Sequence, residues 1–309
     1  MSKLVKINPV VGTVFNEQQE IWPVVLSALQ RRNDKDAVIS PLQNPAWDGS
    51  YFGLDQVNVF KEASENEQRA ILWDASLNIL GEASFIEQLG LAFNAKMILL
   101  TDKLEERTLY SLFAADEAQH LFWINAHMPP PALPLPQKPF FKLLSSIIED
   151  GSKAPLTCLI QVLLEGWGIN HYSSIAQDCN HVGLKTYLKK ILKDEALHHG
   201  SGMILWNQLS LNSEEESFVI EMLVRLFEAV QEGPQMIVKS IERSLGHLSF
   251  AQKVDIFEQL KCEEQSLQRI DLLKSLLGKQ NRENSVLSKL NELGTFRPYS
   301  ATECAHRCV

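Results

Sequence analysis

The sequence has no long apolar run and little cysteine. No apolar stretch among its 309 residues approaches the roughly 20 residues that a membrane-spanning helix needs. The N-terminal residues lack the long apolar core of a signal peptide, so we expect neither an export signal nor a membrane span. The five cysteines are scattered and odd in number, which is typical of a reducing compartment. These absences predict a cytoplasmic protein.

Several motifs that indicate a binding site for a cofactor or a nucleic acid are also missing. There is no dense cluster of Lys and Arg, and the formal net charge of −9 argues against a nucleic-acid surface. The chain has no Gly-x-Gly-x-x-Gly motif and no clustered cysteines for an iron–sulfur centre. Patterns typical of β-strands are scarce. With 45% hydrophobic residues, the sequence predicts one all-α domain over residues 1–309 with a substantial core.

One pattern does occur, and it occurs twice. Glu87 is followed by an Asp-Glu-x-x-His motif that contains Glu117 and His120. Glu165 is followed, at the same spacing, by a second copy of the motif. Its metal-ligand candidates are Glu195 and His198.

The repeated spacing is more informative than a single Glu-x-x-His motif. A third Glu-x-x-His runs from Glu303 to His306, but the matching upstream position is Leu273 rather than a carboxylate. Two exposed helices with a coincidental repeat are the alternative explanation. Apolar neighbours such as Phe113 and Ile191 argue against it, because they indicate that both motifs are buried.

The spacing also predicts a geometry. The Glu and His of Glu-x-x-His lie on one helix face, one turn apart. The midpoints of the two copies are Asp102 and Asn180, which both lie in turn-forming sequence. Two helical hairpins would therefore bring each lone Glu level with its own Glu-x-x-His.

Four carboxylates and two imidazoles arranged in this way are the ligand set of a two-metal site in a four-helix bundle. We expect Glu117 and Glu195 to bridge the metals, with Glu87 and Glu165 as terminal ligands. His120 and His198 would then bind one ion each. This mixture of oxygen and imidazole ligands suits iron or manganese better than the thiolate-rich sets of structural zinc.

The pattern divides the chain into an extension over residues 1–63, a core over 64–208 and further helices over 209–309. Core helices are predicted at 64–100, 102–127, 154–178 and 183–208. Other helices are predicted at 17–32, 139–149, 213–231, 235–246, 250–277 and 282–292. Capping boxes at Ser64 and Asp102 would begin the first two core helices. The Pro-rich segment 128–136 is predicted to be an extended crossover, and the segment with Cys304, His306 and Cys308 a loose tail rather than a metal site.

An aspartate, Asp116 or Asp194, precedes the second glutamate of each copy. A histidine that binds a metal usually donates its other N–H to a carboxylate or a carbonyl, which fixes the tautomer. Each aspartate points about 100° away from the ligand face of its own helix. We therefore predict that Asp116 reaches His198 and that Asp194 reaches His120, with a plain surface position as the alternative.

Other residues lie close to the predicted ligands. Tyr110 and Tyr172 each lie two helical turns from a ligand glutamate, so either could carry an electron to or from the metals, although a hydrogen-bonded core tyrosine is the default. Gly90 and Gly168 follow the lone glutamates by one turn. They indicate either close helix packing or a small apolar cavity, and the sequence does not favour one of these. His199 has no histidine counterpart in the first copy and is left outside the ligand set.

The doubled signature resembles the ferritin-like di-iron carboxylate superfamily, over about residues 80–208. The stretch 157–165, together with Tyr172 and Lys193-Asp194-Glu195, is similar to cyanobacterial aldehyde-deformylating oxygenases. The resemblance implies a ferritin-like four-helix bundle of two helical hairpins, with additional N- and C-terminal helices. It also implies two iron ions, or manganese, on the six repeat residues.

The function implied by the resemblance is oxidation of a small or lipid-like organic substrate by activated O₂. Because the chain carries no flavin, nicotinamide or iron–sulfur motif, the electrons would come from a separate reductase or ferredoxin. A homodimer is compatible with this reading. The alternative is a ferritin-like ferroxidase without an organic substrate, and a metal-binding scaffold without activity is a third option. Residues 1–63 and 209–309 favour the enzyme, because storage subunits are usually shorter.

Overall fold

The structure is a computed structural model that describes residues 18–32, 39–129, 139–278 and 284–308. These residues are helical or irregular and contain no strand, as the sequence predicts. Eight α-helices lie between residue 18 and the end of the second motif's helix in the described part of the chain. They are α1 Trp22–Gln30, α2 Asn58–Glu62, α3 Glu65–Leu100, α4 Leu104–His127, α5 Pro139–Asp150, α6 Lys153–Leu156, α7 Glu165–Asp178 and α8 Val182–Trp206. The later helices are α9 Ser213–Gln231, α10 Gln235–Leu245, α11 Phe250–Gln259, α12 Cys262–Gly278, α13 Asn284–Glu292 and α14 Ala301–Arg307.

The start of α3 follows from its capping box. The hydroxyl of Ser64 accepts a hydrogen bond from the backbone N–H of Glu67 at 3.4 Å, and the Glu67 carboxylate accepts from the backbone N–H of Ser64 at 2.8 Å. These two bonds satisfy amides that the first helical turn cannot pair internally. The predicted capping box at Ser64 is confirmed.

The capping box predicted at Asp102 is wrong. Helix α4 begins after Lys103, and no side chain caps it there. The adjoining Thr101 hydroxyl instead donates to Glu106, which is also paired with Lys153. The Thr101 hydroxyl is therefore paired with a buried carboxylate in the first turn of α4.

The predicted helix over 154–178 contains a segment of different winding. Residues Thr157–Leu164 are π-helical, and they join α6 to α7 without a break. π-Helical turns are rare and are often found at functional sites. The segment ends directly at Glu165, one of the predicted ligands.

The helix predicted over 250–277 is interrupted. Helix α11 ends at Gln259 and α12 begins at Cys262. Between them Lys261 has φ 51, a left-handed conformation that stops an α-helix. No glycine or proline marks this break, which is why the continuous hydrophobic pattern concealed it.

The chain forms two compact units. Among the described residues, the first comprises 18–32, 39–43, 79–129, 139–177 and 181–210, and the second comprises 44–78, 178–180, 211–278 and 284–308. Helices α4, α5, α7 and α8 lie in the first unit. Its core includes the fully buried Phe93, Tyr110 and Ile124.

The second unit has its own core and polar contacts. Trp47, Leu54 and Phe257 are fully buried in it. The carboxylate of Asp74 accepts hydrogen bonds from the Ser240 hydroxyl at 2.6 Å and from the Arg243 guanidinium at 2.9 Å.

The segment predicted as a loose tail is folded. Helix α14 begins at a capping box formed by Ser300 and Glu303. The side chain of Gln235 donates to the carbonyl of Cys304 at 2.9 Å, and the side chain of Cys304 is fully buried. The prediction was wrong because a seven-residue helix is too short to show a hydrophobic period in the sequence. The Ser300-x-x-Glu303 capping box is the sequence signal that indicates this helix.

Replacing Ser300 by alanine is expected to destabilise the second unit by about 1 kcal/mol, because it removes the hydroxyl that accepts from the N–H of Glu303. Urea unfolding followed by circular dichroism measures this change. Ser300→Asp is the control, since aspartate can cap a helix equally well. An unchanged unfolding midpoint in Ser300→Ala would show that α14 does not contribute to stability.

Three predicted segments lie partly outside the described residues, among them the helix predicted over 282–292, of which residues 282 and 283 are not described. The crossover predicted over 128–136 is described only at Met128 and Pro129, and residue 17 of the predicted first helix is not described. Among the residues that are described, no helix is both long enough and apolar enough to cross a membrane.

Candidate metal centre

The six residues of the repeat converge in the first unit. Glu87 lies on α3, Glu117 and His120 on α4, Glu165 at the first position of α7, and Glu195 and His198 on α8. Their side chains are almost completely shielded from solvent, from 0% exposed for His120 to 9% for Glu165. Two sequence segments far apart along the chain therefore supply one buried cluster.

One group forms around His120. Its Nδ1 atom lies 3.1 Å from Oε2 of Glu87, 3.8 Å from Oε2 of Glu117 and 3.6 Å from Oε1 of Glu195. One ligand atom from each of these four residues falls within 4.8 Å of all the others. Such a group could hold a metal ion.

A second group forms around His198. Its Nδ1 atom lies 3.2 Å from Oε1 of Glu117, 3.7 Å from Oε2 of Glu165 and 3.9 Å from Oε2 of Glu195. Glu117, Glu165 and His198 also satisfy the 4.8 Å criterion, so Glu117 belongs to both groups. Glu195 lies near both imidazoles through its two different oxygens.

The outer nitrogens of the two imidazoles face the two aspartates. Nε2 of His120 lies 3.2 Å from Oδ2 of Asp194, within hydrogen-bond distance. Nε2 of His198 lies 3.7 Å from Oδ2 of Asp116, which is ion-pair distance only. The pairs are those that the sequence predicts. They direct Nδ1 of each ring into the cluster.

Asp116 has an additional partner that the sequence did not indicate. The guanidinium of Arg32 donates to Oδ1 of Asp116 at 2.9 Å. Arg32 lies just after α1, far from the repeat in sequence, so no local pattern could reveal the contact.

The two tyrosines occupy different positions. The hydroxyl of Tyr172 donates to Oε1 of Glu87, so Tyr172 contacts a predicted ligand directly. The hydroxyl of Tyr110 donates to Oε1 of Gln161 at 2.9 Å. The amide of Gln161 in turn donates to the carbonyl of His198 at 3.3 Å, so the hydroxyl of Tyr110 reaches the cluster indirectly, through Gln161.

The two glycines also differ. A Cβ atom on Gly90 would lie 2.7 Å from both Cδ and Oε2 of Glu117, so close packing is the correct explanation there. A Cβ atom on Gly168 would meet no atom within 4 Å. The first glycine is thus required by the position of a predicted ligand, and the second is not.

Burial and mutual proximity shift the pKa values of three of the glutamates and of both histidines. Burial raises the pKa of Glu87 to about 7, and burial with repulsion from neighbouring carboxylates holds the pKa of Glu195 well above its usual range. Burial alone would lower the pKa of His120 and His198, but the surrounding carboxylates raise it. Burial would raise the pKa of Glu117, but the two histidines lower it. Buried negative charge on this scale requires compensation by cations or protons.

The unsatisfied atoms of the cluster fit a metal. Oε2 of Glu165 and both ring nitrogens of His198 are buried and make no hydrogen bond to any described residue. Polar atoms that are buried without partners are rare in folded proteins. Oxygen and imidazole donors converging in this way satisfy the coordination preferences of iron or manganese.

The other histidine and cysteine candidates do not form such a group. The thiol of Cys304 is directed at the carbonyl of Gln231, 3.7 Å away, and the ring of His306 packs on Phe250 with centroids 4.5 Å apart. His199 is absent from both groups around the repeat histidines. The repeat therefore selected the residues that converge.

No protein-family model, curated protein or solved structure matches this chain. The class of protein is therefore stated from the fold and the site alone. It is an all-helical protein with a buried cluster of glutamate and histidine that could hold a metal ion.

Proposed function

We propose that the chain is an oxygen-activating di-iron oxidoreductase built on a ferritin-like four-helix bundle. The observation that carries the proposal is the pair of overlapping ligand groups that share Glu117. Two groups with a common carboxylate are what a bridged two-metal centre requires. Iron is the proposed metal, and manganese fits the same donors.

The distances support a specific division of roles. Glu87 lies beside His120, and Glu165 lies beside His198, so each pair would supply the terminal ligands of one ion. Glu117 and Glu195 lie near both histidines and would bridge the ions.

The protein's own contribution would be positioning and shielding. Asp194 would fix the tautomer of His120 by accepting a hydrogen bond from Nε2–H, which leaves Nδ1 free to bind. The ring of Phe113 packs against the ring of His198, with centroids 4.1 Å apart, and keeps water from that side. When bound, the metal pair would supply the reduction of O₂ and the oxidation of an organic substrate.

The proposed partners are O₂, a small or lipid-like organic substrate and an external reductase or ferredoxin. The need for an external donor follows from the sequence, which has no motif for a redox cofactor of its own. A homodimer is compatible with this arrangement, and the proposed place of action is the cytoplasm.

The test is to load the protein anaerobically with ferrous iron, admit air and record the optical spectrum with candidate substrates present. We expect about two irons per chain, one for each ligand group. We also expect an oxygen-dependent band whose decay is accelerated by one substrate class, with conversion of that substrate. A cage-sized particle that mineralises iron and is indifferent to every substrate would instead establish a ferroxidase.

A further inference from the structure

The two halves of the cluster have equivalent candidate ligands but unequal support. On the first half, Oε1 of Glu87 accepts from the Tyr172 hydroxyl, and Oε2 faces Nδ1 of His120 at 3.1 Å. The far nitrogen of His120 is held by Asp194 at 3.2 Å. Both side chains of this pair are therefore fixed by neighbours that would not themselves bind the metal.

The second half has weaker support of this kind, although Nδ1 of His198 lies 3.2 Å from Oε1 of Glu117. Oε2 of Glu165 and both ring nitrogens of His198 are buried without a hydrogen bond to the described residues. Asp116, the counterpart of Asp194, lies farther from its histidine, at 3.7 Å, and its other oxygen pairs with Arg32 at 2.9 Å. Asp116 thus interacts with both His198 and Arg32, whereas no described arginine or lysine pairs with Asp194.

The repeat itself shows where the symmetry fails. Tyr172 follows Glu165 at the spacing at which Asn94 follows Glu87. A symmetric arrangement would have Asn94 support Glu165 as Tyr172 supports Glu87. Instead the Asn94 amide donates to the carbonyl of Gly90 at 2.9 Å, and its buried Oδ1 atom accepts no hydrogen bond from the residues that the structure describes.

We infer that the two metal positions are unequal, with the Glu87–His120 position binding first and more tightly and the Glu165–His198 position binding the weaker, exchangeable ion. Ligands that are already oriented lose less conformational freedom on binding, so their complex is tighter. Tyr172 and Asp194 are the positioning residues that create the difference. This inference rests on the two-metal function proposed above.

The experiment is an anaerobic titration of metal-free protein with Mn²⁺, in which the electron paramagnetic resonance signal of free Mn²⁺ reports the bound fraction. For the unaltered chain we expect two classes of site whose affinities differ by at least about tenfold. Tyr172→Phe and Asp194→Asn should each weaken the tighter class by about 10–100-fold, the usual effect of losing a residue that orients a ligand. Glu165→Gln should leave one tightly bound ion per chain.

Tyr110→Phe is the matched control, because Tyr110 is a buried tyrosine of the same unit whose hydroxyl contacts Gln161 rather than a cluster carboxylate. Circular dichroism identifies any variant that fails to fold. A crystal soaked with less than one equivalent of Mn²⁺ gives a second readout on the unaltered chain, since its anomalous signal should lie between Glu87 and His120.

Three results would overturn the inference. They are two equal sites in the unaltered chain, a Tyr172→Phe titration identical to that of Tyr110→Phe, and loss of the tighter ion in Glu165→Gln. Each of these leaves the two-metal proposal standing. Absence of Mn²⁺ and Fe²⁺ binding by the unaltered chain would instead overturn the proposed function, and the inference with it.

Discussion

Replacing Glu117 by alanine is expected to abolish stable binding of both metal ions. Glu117 belongs to both ligand groups, and its two oxygens lie 3.2 Å from Nδ1 of His198 and 3.8 Å from Nδ1 of His120. Loss of this carboxylate would remove a ligand from each ion. It would also remove the negative charge that lies between the two ions and offsets their repulsion. Metal analysis after growth in iron and dialysis should fall from about two ions per chain to near none.

Two controls make that result specific. Glu82→Ala removes a carboxylate outside both groups and should keep its metal. Circular dichroism must show that Glu117→Ala is folded, because the substitution also removes a carboxylate that pairs with His120 and His198. Two ions retained in Glu117→Ala, or in the double variant with Glu195→Ala, would contradict the assignment of these residues as ligands.

Replacing Gly90 by alanine is expected to have the next largest effect. The added Cβ atom would lie 2.7 Å from Oε2 of Glu117, a distance that real Cβ contacts essentially never show. The Glu117 carboxylate must therefore shift, and because it is the far end of a flexible side chain the backbone need not move. We expect metal affinity to fall by about 10–100-fold, the usual effect of disturbing the orientation of a ligand, with little change in the free energy of unfolding.

Gly168→Ala is the matched control for that experiment. Gly168 holds the corresponding place in the second copy, yet its Cβ atom would meet nothing within 4 Å. Alanine favours a helix over glycine by about 1 kcal/mol, so this variant should be slightly more stable and keep its metal. Equal metal affinity in the two alanine variants would show that the space beside Glu117 is unimportant.

The convergence of the candidate ligands was predictable from the sequence because it depends on periodicity. A Glu-x-x-His on a helix fixes which side chains share a face, and equal spacing in two hairpins fixes their depth. The same reasoning gave the crossed pairing of Asp194 with His120. The bounds of the long helices that carry the candidate ligands followed with errors of a few residues, since long helices carry a strong hydrophobic period.

The features that escaped prediction depend on contacts distant in sequence or on the backbone alone. Arg32 reaches Asp116 from a helix outside the repeat, and Gln161 reaches His198 from the preceding helical segment. The π-helical winding of residues 157–164 leaves the hydrophobic pattern almost unchanged, so it could not be distinguished from an α-helix. The left-handed Lys261 is a similar case, because lysine gives no signal for such a turn.

The burial of so many carboxylates has a consequence for biosynthesis. Glu87 is synthesised long before Glu195, so the nascent chain carries its first acidic half-site before the residues that complete the cluster exist. A cation that binds only the folded chain would add about 2.7 kcal/mol of stability at one hundred times its dissociation constant. The yield of folded protein in a cell should therefore follow the supply of metal during translation. If the metal is iron, as proposed above, cells starved of iron would make the same amount of chain and accumulate less of it.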